Sequence, residues 1–120
     1  MYSIVSTAIV HGIDSIPVQV EADVSNGMPY FEMVGFLGAE VKEAKERVRT
    51  ALRNAGYLLP AKRITVNLSP AGVRKSGSAF DLPITVALMA ALEIVPKENT
   101  ADILVVGEIG LNGQVQPVRG

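Results

Sequence analysis

A chain of 120 residues with 48% hydrophobic side chains is long enough to bury about two-thirds of its unfolded surface around one core. Its net charge of −1 gives no global basic field, so any binding to nucleic acid must come from a local patch. Zero cysteines and a single histidine, His11, exclude disulfides, thiolate chemistry and histidine-rich metal sites.

In chain order, residues 2–10 read as a first strand, and His11 flanks a Gly12-Ile13-Asp14 turn. Ile16, Val18, Val20, Ala22 and Val24 then alternate with Pro17, Gln19, Glu21 and Asp23. That is a half-buried strand of period two, with Pro17 marking an edge or a strand start. Ser25-Asn26-Gly27 is a hairpin signal, which makes residues 30–34 the returning strand. Residues 38–56 form the clearest helix: Val41, Ala44, Val48, Ala51, Leu52 and Ala55 share one arc, and Gly56 supplies the stop. Residues 63–68 alternate again, with Ile64, Val66 and Leu68 inward. A loop through Pro70 and Gly72 leads to a second helix that starts near residue 80 or 81 and runs to about Glu93. The apolar stretch 82–95 falls short of the ~20 residues of a membrane span and is interrupted by Pro83 and Glu93. It predicts a buried helix. Residues 103–106 predict a central strand, and Asn112-Gly113 a tight turn into a last strand over 114–118.

The order β-β-β-α-β-α-β-β describes one α+β domain, a mixed sheet with two main helices on one face. The chain stops at Gly120 directly after a hairpin, which predicts a continuation beyond it. The first residues carry no signal-peptide pattern, and with no cysteine the expected compartment is cytoplasmic.

Three features could carry function. Lys75, Ser76, Gly77 and Ser78 form a glycine-containing loop opening a helix, where free N–H groups and a positive dipole end suit an anion. The competing reading is capping by Ser76, Ser78 or Asp81, with Pro83 then in the tolerant first turn. A P-loop is absent, because Gly-Lys-[Ser/Thr] does not occur. Second, Lys42, Lys45, Arg49 and Arg53 lie on one flank of the first helix, with Glu40, Glu43, Glu46 and Arg47 on the other exposed side. Lys45–Arg49 and Arg49–Arg53 are like-charge pairs four apart, which cost the helix a few tenths of a kcal/mol. Such a stripe is either a solvated face or a contact surface for DNA phosphates or an acidic partner. Third, the second helix is apolar on nearly all sides, so it is deep core or an interface.

With these residues in view, the chain resembles the N-terminal domain of the ComM/YifB family of magnesium-chelatase-like AAA+ ATPases. The likeness covers essentially the whole chain. It rests on Met33-Val34-Gly35, on the run from Val41 to Leu52, on the run from Pro60 to Ala71, on Asp81-Leu82-Pro83-Ile84, and on the run from Val106 to Gly113. The resemblance implies a Lon-protease-like fold of the ribosomal protein S5 domain 2 superfamily. It also implies an AAA+ module after Gly120 that binds ATP and Mg, homo-hexamer assembly, DNA as a partner and no membrane. This segment would be a non-catalytic accessory domain with no cofactor or metal of its own.

Lon-type proteases place a nucleophilic serine in a Lys-Asp-Gly-Pro-Ser-Ala-Gly segment. Here Lys75 and Gly77 match, but the nucleophile position falls on Ala79 and Ser78 takes the proline position. Alanine cannot attack a carbonyl, so no catalytic residue is assigned. Two alternatives remain open: a degenerate serine–lysine peptidase using Ser78, and a small-anion or nucleotide-binding module.

Overall fold

A computed structural model describes residues 1–11, 14–77, 79–95, 105, 108, 109, 111, 112, 115 and 116. Its elements are β1 (Tyr2–His11), β2 (Asp14–Ser25), β3 (Tyr30–Val34), α1 (Ala39–Lys42), α2 (Ala44–Asn54), β4 (Arg63–Ser69) and α3 (Asp81–Ala91). A two-residue pair, β5 (Glu108–Ile109) and β6 (Val115–Gln116), follows. The fold is mixed α/β, built on a four-stranded mixed sheet of order β1-β2-β4-β3.

β1 pairs antiparallel with β2, placing Val5 opposite Val20 and Thr7 opposite Val18. β2 pairs antiparallel with β4, placing Ala22 opposite Val66. Pro17 faces only Ala8, because the β4 pairing begins at Gln19. A residue without an N–H therefore costs the ladder nothing on that side.

The hairpin expected at Ser25-Asn26-Gly27 does not form. β3 instead pairs parallel with β4, Phe31 opposite Ile64 and Met33 opposite Val66. A parallel pair needs a long crossover, and α1 with α2 provide one. β4, with Ile64, Val66 and Leu68 all buried, takes the central place and leaves β3 on the edge. The turn composition favoured a hairpin; burial of β4 overrode it.

The first helix is divided at Glu43, whose ψ of −11 flattens the turn between α1 and α2. Val41, Ala44, Val48, Ala51 and Leu52 are buried as their spacing requires, whereas Ala55 is exposed at the end. Gly56 stops the helix with φ +97. Its N–H donates to the Arg53 carbonyl at 3.1 Å, and the Tyr57 N–H donates to Leu52 at 2.8 Å. These are the two bonds of a Schellman cap.

α3 starts at Asp81, and Phe80 precedes it without a side-chain cap. Pro83 is the third helical residue, where a missing N–H leaves no helical bond unmade. The helix is core: Ile84, Ala87, Leu88, Ala90 and Ala91 are fully buried. Val5, Val20, Val66, Val41, Val48, Ile84 and Leu88 belong to one cluster, so both main helices cover the same face of the sheet. On the opposite face Tyr2 donates to Glu21 at 2.6 Å and Asn67 donates to Glu21 at 3.0 Å, tying three strands together.

Gly35, just past β3, has φ +126, and an added Cβ would lie 2.5 Å from the Leu68 carbonyl oxygen. Only glycine fits there. The 12–13 turn lies outside the described residues, as does the expected 103–106 strand except at Val105. Val105 is half-buried and donates its N–H to Ser6 of β1 at 2.9 Å. The expected final hairpin is described through its β5–β6 pairing, Ile109 opposite Val115. Among the described residues no helix is long and apolar enough to cross a membrane.

Candidate nucleic-acid interface

β3 and the α2 side of the crossover enclose two adjoining grooves. The larger, about 380 Å³, is lined by Tyr30, Phe31, Arg49, Arg53, Leu58 and Lys62 among others. The second, about 280 Å³, runs along Tyr30 to Met33 with Lys42 and Lys45 opposite. The four cations singled out from helical spacing thus divide two and two between neighbouring grooves. Tyr30 and Phe31 line both.

Lys42, Arg49 and Arg53 are exposed and Lys45 is half-buried. Among the described residues only Arg49 of the four makes an ion pair, at 3.4 Å to Glu46, both partners well exposed. A pair of that kind contributes at most ~1 kcal/mol and leaves Arg49 free to exchange partners. Its guanidinium also lies over the Phe31 ring, 5.6 Å from the centroid. Among the described residues Glu32 is the one carboxylate lining either groove, and it faces Arg63 at 4.0 Å. The floor of the larger groove is apolar, with Phe31 and Ile64 buried, Leu58 78% exposed at the rim and Tyr30 59% exposed. Tyr30, Phe31 and Lys62 carried no helical spacing to mark them; only the parallel placement of β3 brings them to the stripe.

Arg47 does not share the exposed role expected of it. It points inward, its Nε 2.7 Å from Asp81 Oδ2 and one terminal nitrogen 2.9 Å from Oδ1. That nitrogen also donates to the Glu40 carbonyl at 2.8 Å. The Asp81 side chain is 2% exposed. Its hydrogen bond raises the Arg47 pKa above the ordinary guanidinium value. Asp81 therefore joins α3 to α2 rather than capping α3, a role with no local sequence signal because the partners are 34 residues apart.

In the Lys75 loop the lysine is already engaged by the fold. Lys75 is fully buried, and its ammonium donates to the Pro70 carbonyl. Burial pushes its pKa below the usual lysine value. Its backbone N–H donates to Phe36 at 2.7 Å, and its carbonyl accepts from Gly38 at 2.7 Å. Ser76 is exposed and Gly77 half-buried with φ +85. Ser78 lies outside the described residues. Ala79, at the position where a Lon-type nucleophile would stand, is half-buried.

Residues 20–120 match the family described as subunit ChlI of Mg-chelatase. The chain is 46% identical to YifB of Salmonella typhimurium over 120 residues, covering 96% of this chain and 24% of that protein. It is 44% identical to competence protein ComM of Haemophilus influenzae over 120 residues, covering 96% of this chain and 24% of ComM. A more distant likeness, 29% over 108 residues, relates 84% of the chain to 13% of a Lon protease of Geobacter metallireducens. The chain spans about a quarter of the length of YifB and ComM. By the extent of these matches, this chain belongs to the magnesium-chelatase-like family that includes YifB and ComM.

Proposed function

We propose that the chain is a non-catalytic accessory domain of a magnesium-chelatase-like AAA+ ATPase, and that it engages DNA through its basic flank. The observation that carries this reading is the convergence of Lys42, Lys45, Arg49 and Arg53 on two adjoining grooves. Three of them are spent on no ion pair among the described residues. Cations held at a groove and not used by the fold are what neutralisation of a phosphate backbone requires. Family membership supports the AAA+ part of the reading, and the likeness to Lon protease supports a ribosomal protein S5 domain 2-like fold.

In this reading ATP and Mg²⁺ belong to a separate module of a longer, cytoplasmic, homo-hexameric protein. The residues of this chain do not fit an ATP site. They include no P-loop, and Lys75, the lysine of its glycine loop, is buried on a backbone carbonyl. The Lys75–Ser78 loop has no part in DNA engagement on this account.

The test is anisotropy of a labelled oligonucleotide titrated with the chain at several salt concentrations. Arg49→Glu combined with Arg53→Glu should weaken binding at least about tenfold and flatten the salt dependence by roughly 0.7–0.9 in log–log slope per lost phosphate contact. Unchanged affinity and slope would remove the basic flank from the account. Separately, a serine-reactive probe should label nothing whose signal disappears in Ser78→Ala; labelling that depends on Ser78 would restore a peptidase.

A further inference from the structure

The two grooves meet at a ring rather than at a charge. Tyr30 lines both and is 59% exposed, and its side chain makes no hydrogen bond, ion pair or ring contact with any described residue, while its backbone N–H donates to the Lys62 carbonyl at 3.4 Å. Phe31 beside it is 6% exposed and already has the Arg49 guanidinium over its ring. One aromatic is thus committed to the fold and to Arg49, while the other stands free between two pairs of cations. A large apolar ring left open to water on a structured strand has an unfavourable hydration that a flat partner would relieve. The neighbouring rim repeats the theme, with Leu58 78% exposed beside it.

We propose that Tyr30 is a base-stacking platform, so that the grooves take a single, unpaired DNA strand in preference to a duplex. The inference rests on the DNA reading above and deepens it. In a duplex the base faces are covered by their neighbours, and only phosphates reach a protein surface of this kind. In an unpaired strand a base can turn onto Tyr30, while the phosphates on either side of it reach Lys42 and Lys45 in one groove and Arg49 and Arg53 in the other. Stacking is tolerant of base identity, because every base has a π face. The site therefore selects strand state and not sequence. An acidic peptide would also meet the cations, but it offers Tyr30 nothing flat to stack on.

The experiment compares a fluorescein-labelled oligothymidine with a hairpin duplex of equal length, titrated with the wild-type chain and three variants. Wild type should bind the single strand more tightly. Tyr30→Ala should weaken single-strand binding by roughly fivefold or more and leave duplex binding within about twofold. Tyr30→Phe keeps the ring and should restore affinity. The chain has three tyrosines and no tryptophan, so tyrosine emission reports stacking directly. Oligothymidine should quench part of it in wild type, and that part should be missing in Tyr30→Phe although binding is retained. If Tyr30→Ala binds oligothymidine as wild type does while Arg49→Glu weakens it, stacking is overturned and DNA engagement stands. Failure of both variants to weaken binding overturns both. Displacement of oligothymidine by poly-glutamate at equal charge, with Tyr30→Ala indistinguishable from wild type, also overturns stacking and makes the grooves a site for acidic peptide.

Discussion

Arg47 and Arg49 are two residues apart on α2 and do opposite things. Arg47 turns toward α3 and gives two nitrogens to the buried Asp81 carboxylate. Arg49 turns toward β3, makes one weak exposed pair and leaves most of its charge to the groove. The helix is thus a divider. One flank uses a cation to hold the two main helices together, and the other presents cations to the grooves beside β3. Charge on a helix surface says little about function until the partner of each side chain is known. The useful quantity is how much of that charge the fold has already consumed.

Substitutions separate the two flanks, and the largest effect belongs to the internal one. Asp81→Ala strands the Arg47 guanidinium and should cost about 3 kcal/mol, the lower end for broken buried pairs because Arg47 keeps some solvent contact. Urea unfolding measures it; a loss under 1 kcal/mol would mean the pair is incidental. Gly35→Ala belongs to the same framework, since the added Cβ meets the Leu68 carbonyl in a backbone region that disfavours side chains. A loss of roughly 2 kcal/mol or more is expected, read as a lowered urea midpoint. Arg49→Glu with Arg53→Glu should move stability by less than ~0.5 kcal/mol while weakening oligonucleotide binding. If it unfolds the chain instead, the division between flanks is wrong.

Lys75 gives the smallest effect and a distinctive pH signature. Burial lowers its folded pKa below the unfolded value, so the unfolded chain binds more protons in the alkaline window between the two. Its contribution to stability should therefore rise with pH through that window, up to the unfolded lysine value of ~10.4. Lys75→Met should remove this rise, so that the stability difference from wild type changes between neutral pH and pH 10. Thermal melts at the two pH values read it, and parallel curves would show that Lys75 does not titrate differently on folding.

Much of the scaffold was legible because period and burial agree. The alternation of Val18 to Val24 and of Ile64 to Leu68, the arc from Val41 to Leu52, and the apolar run of α3 each have one comfortable arrangement. The partner of β3 was not legible. A turn signal is local, whereas the choice between β2 and β4 depends on which strand must bury both neighbours. For the same reason the spacing of Lys42, Lys45, Arg49 and Arg53 marked the stripe, but nothing marked Tyr30 as its counterpart. Arg47 looked like its exposed neighbours because an ion pair spanning 34 residues has no sequence period.

The edge position of β3 has one more consequence. Among the described residues it pairs on one side only, with β4. A five-residue strand with an unpaired side is a template on which a second copy could add its own. Lys42 and Lys45 stand across the groove that follows this side. Two copies approaching edge to edge would bring four ammonium groups together in a narrow space, and their repulsion should oppose that approach. The lysines proposed to meet DNA phosphates should thus also disfavour edge-to-edge association of the domain. Neutralising both should make it clump at lower concentration, and salt near 1 M, where the screening length falls to about 3 Å, should reproduce part of that loss in the unaltered chain.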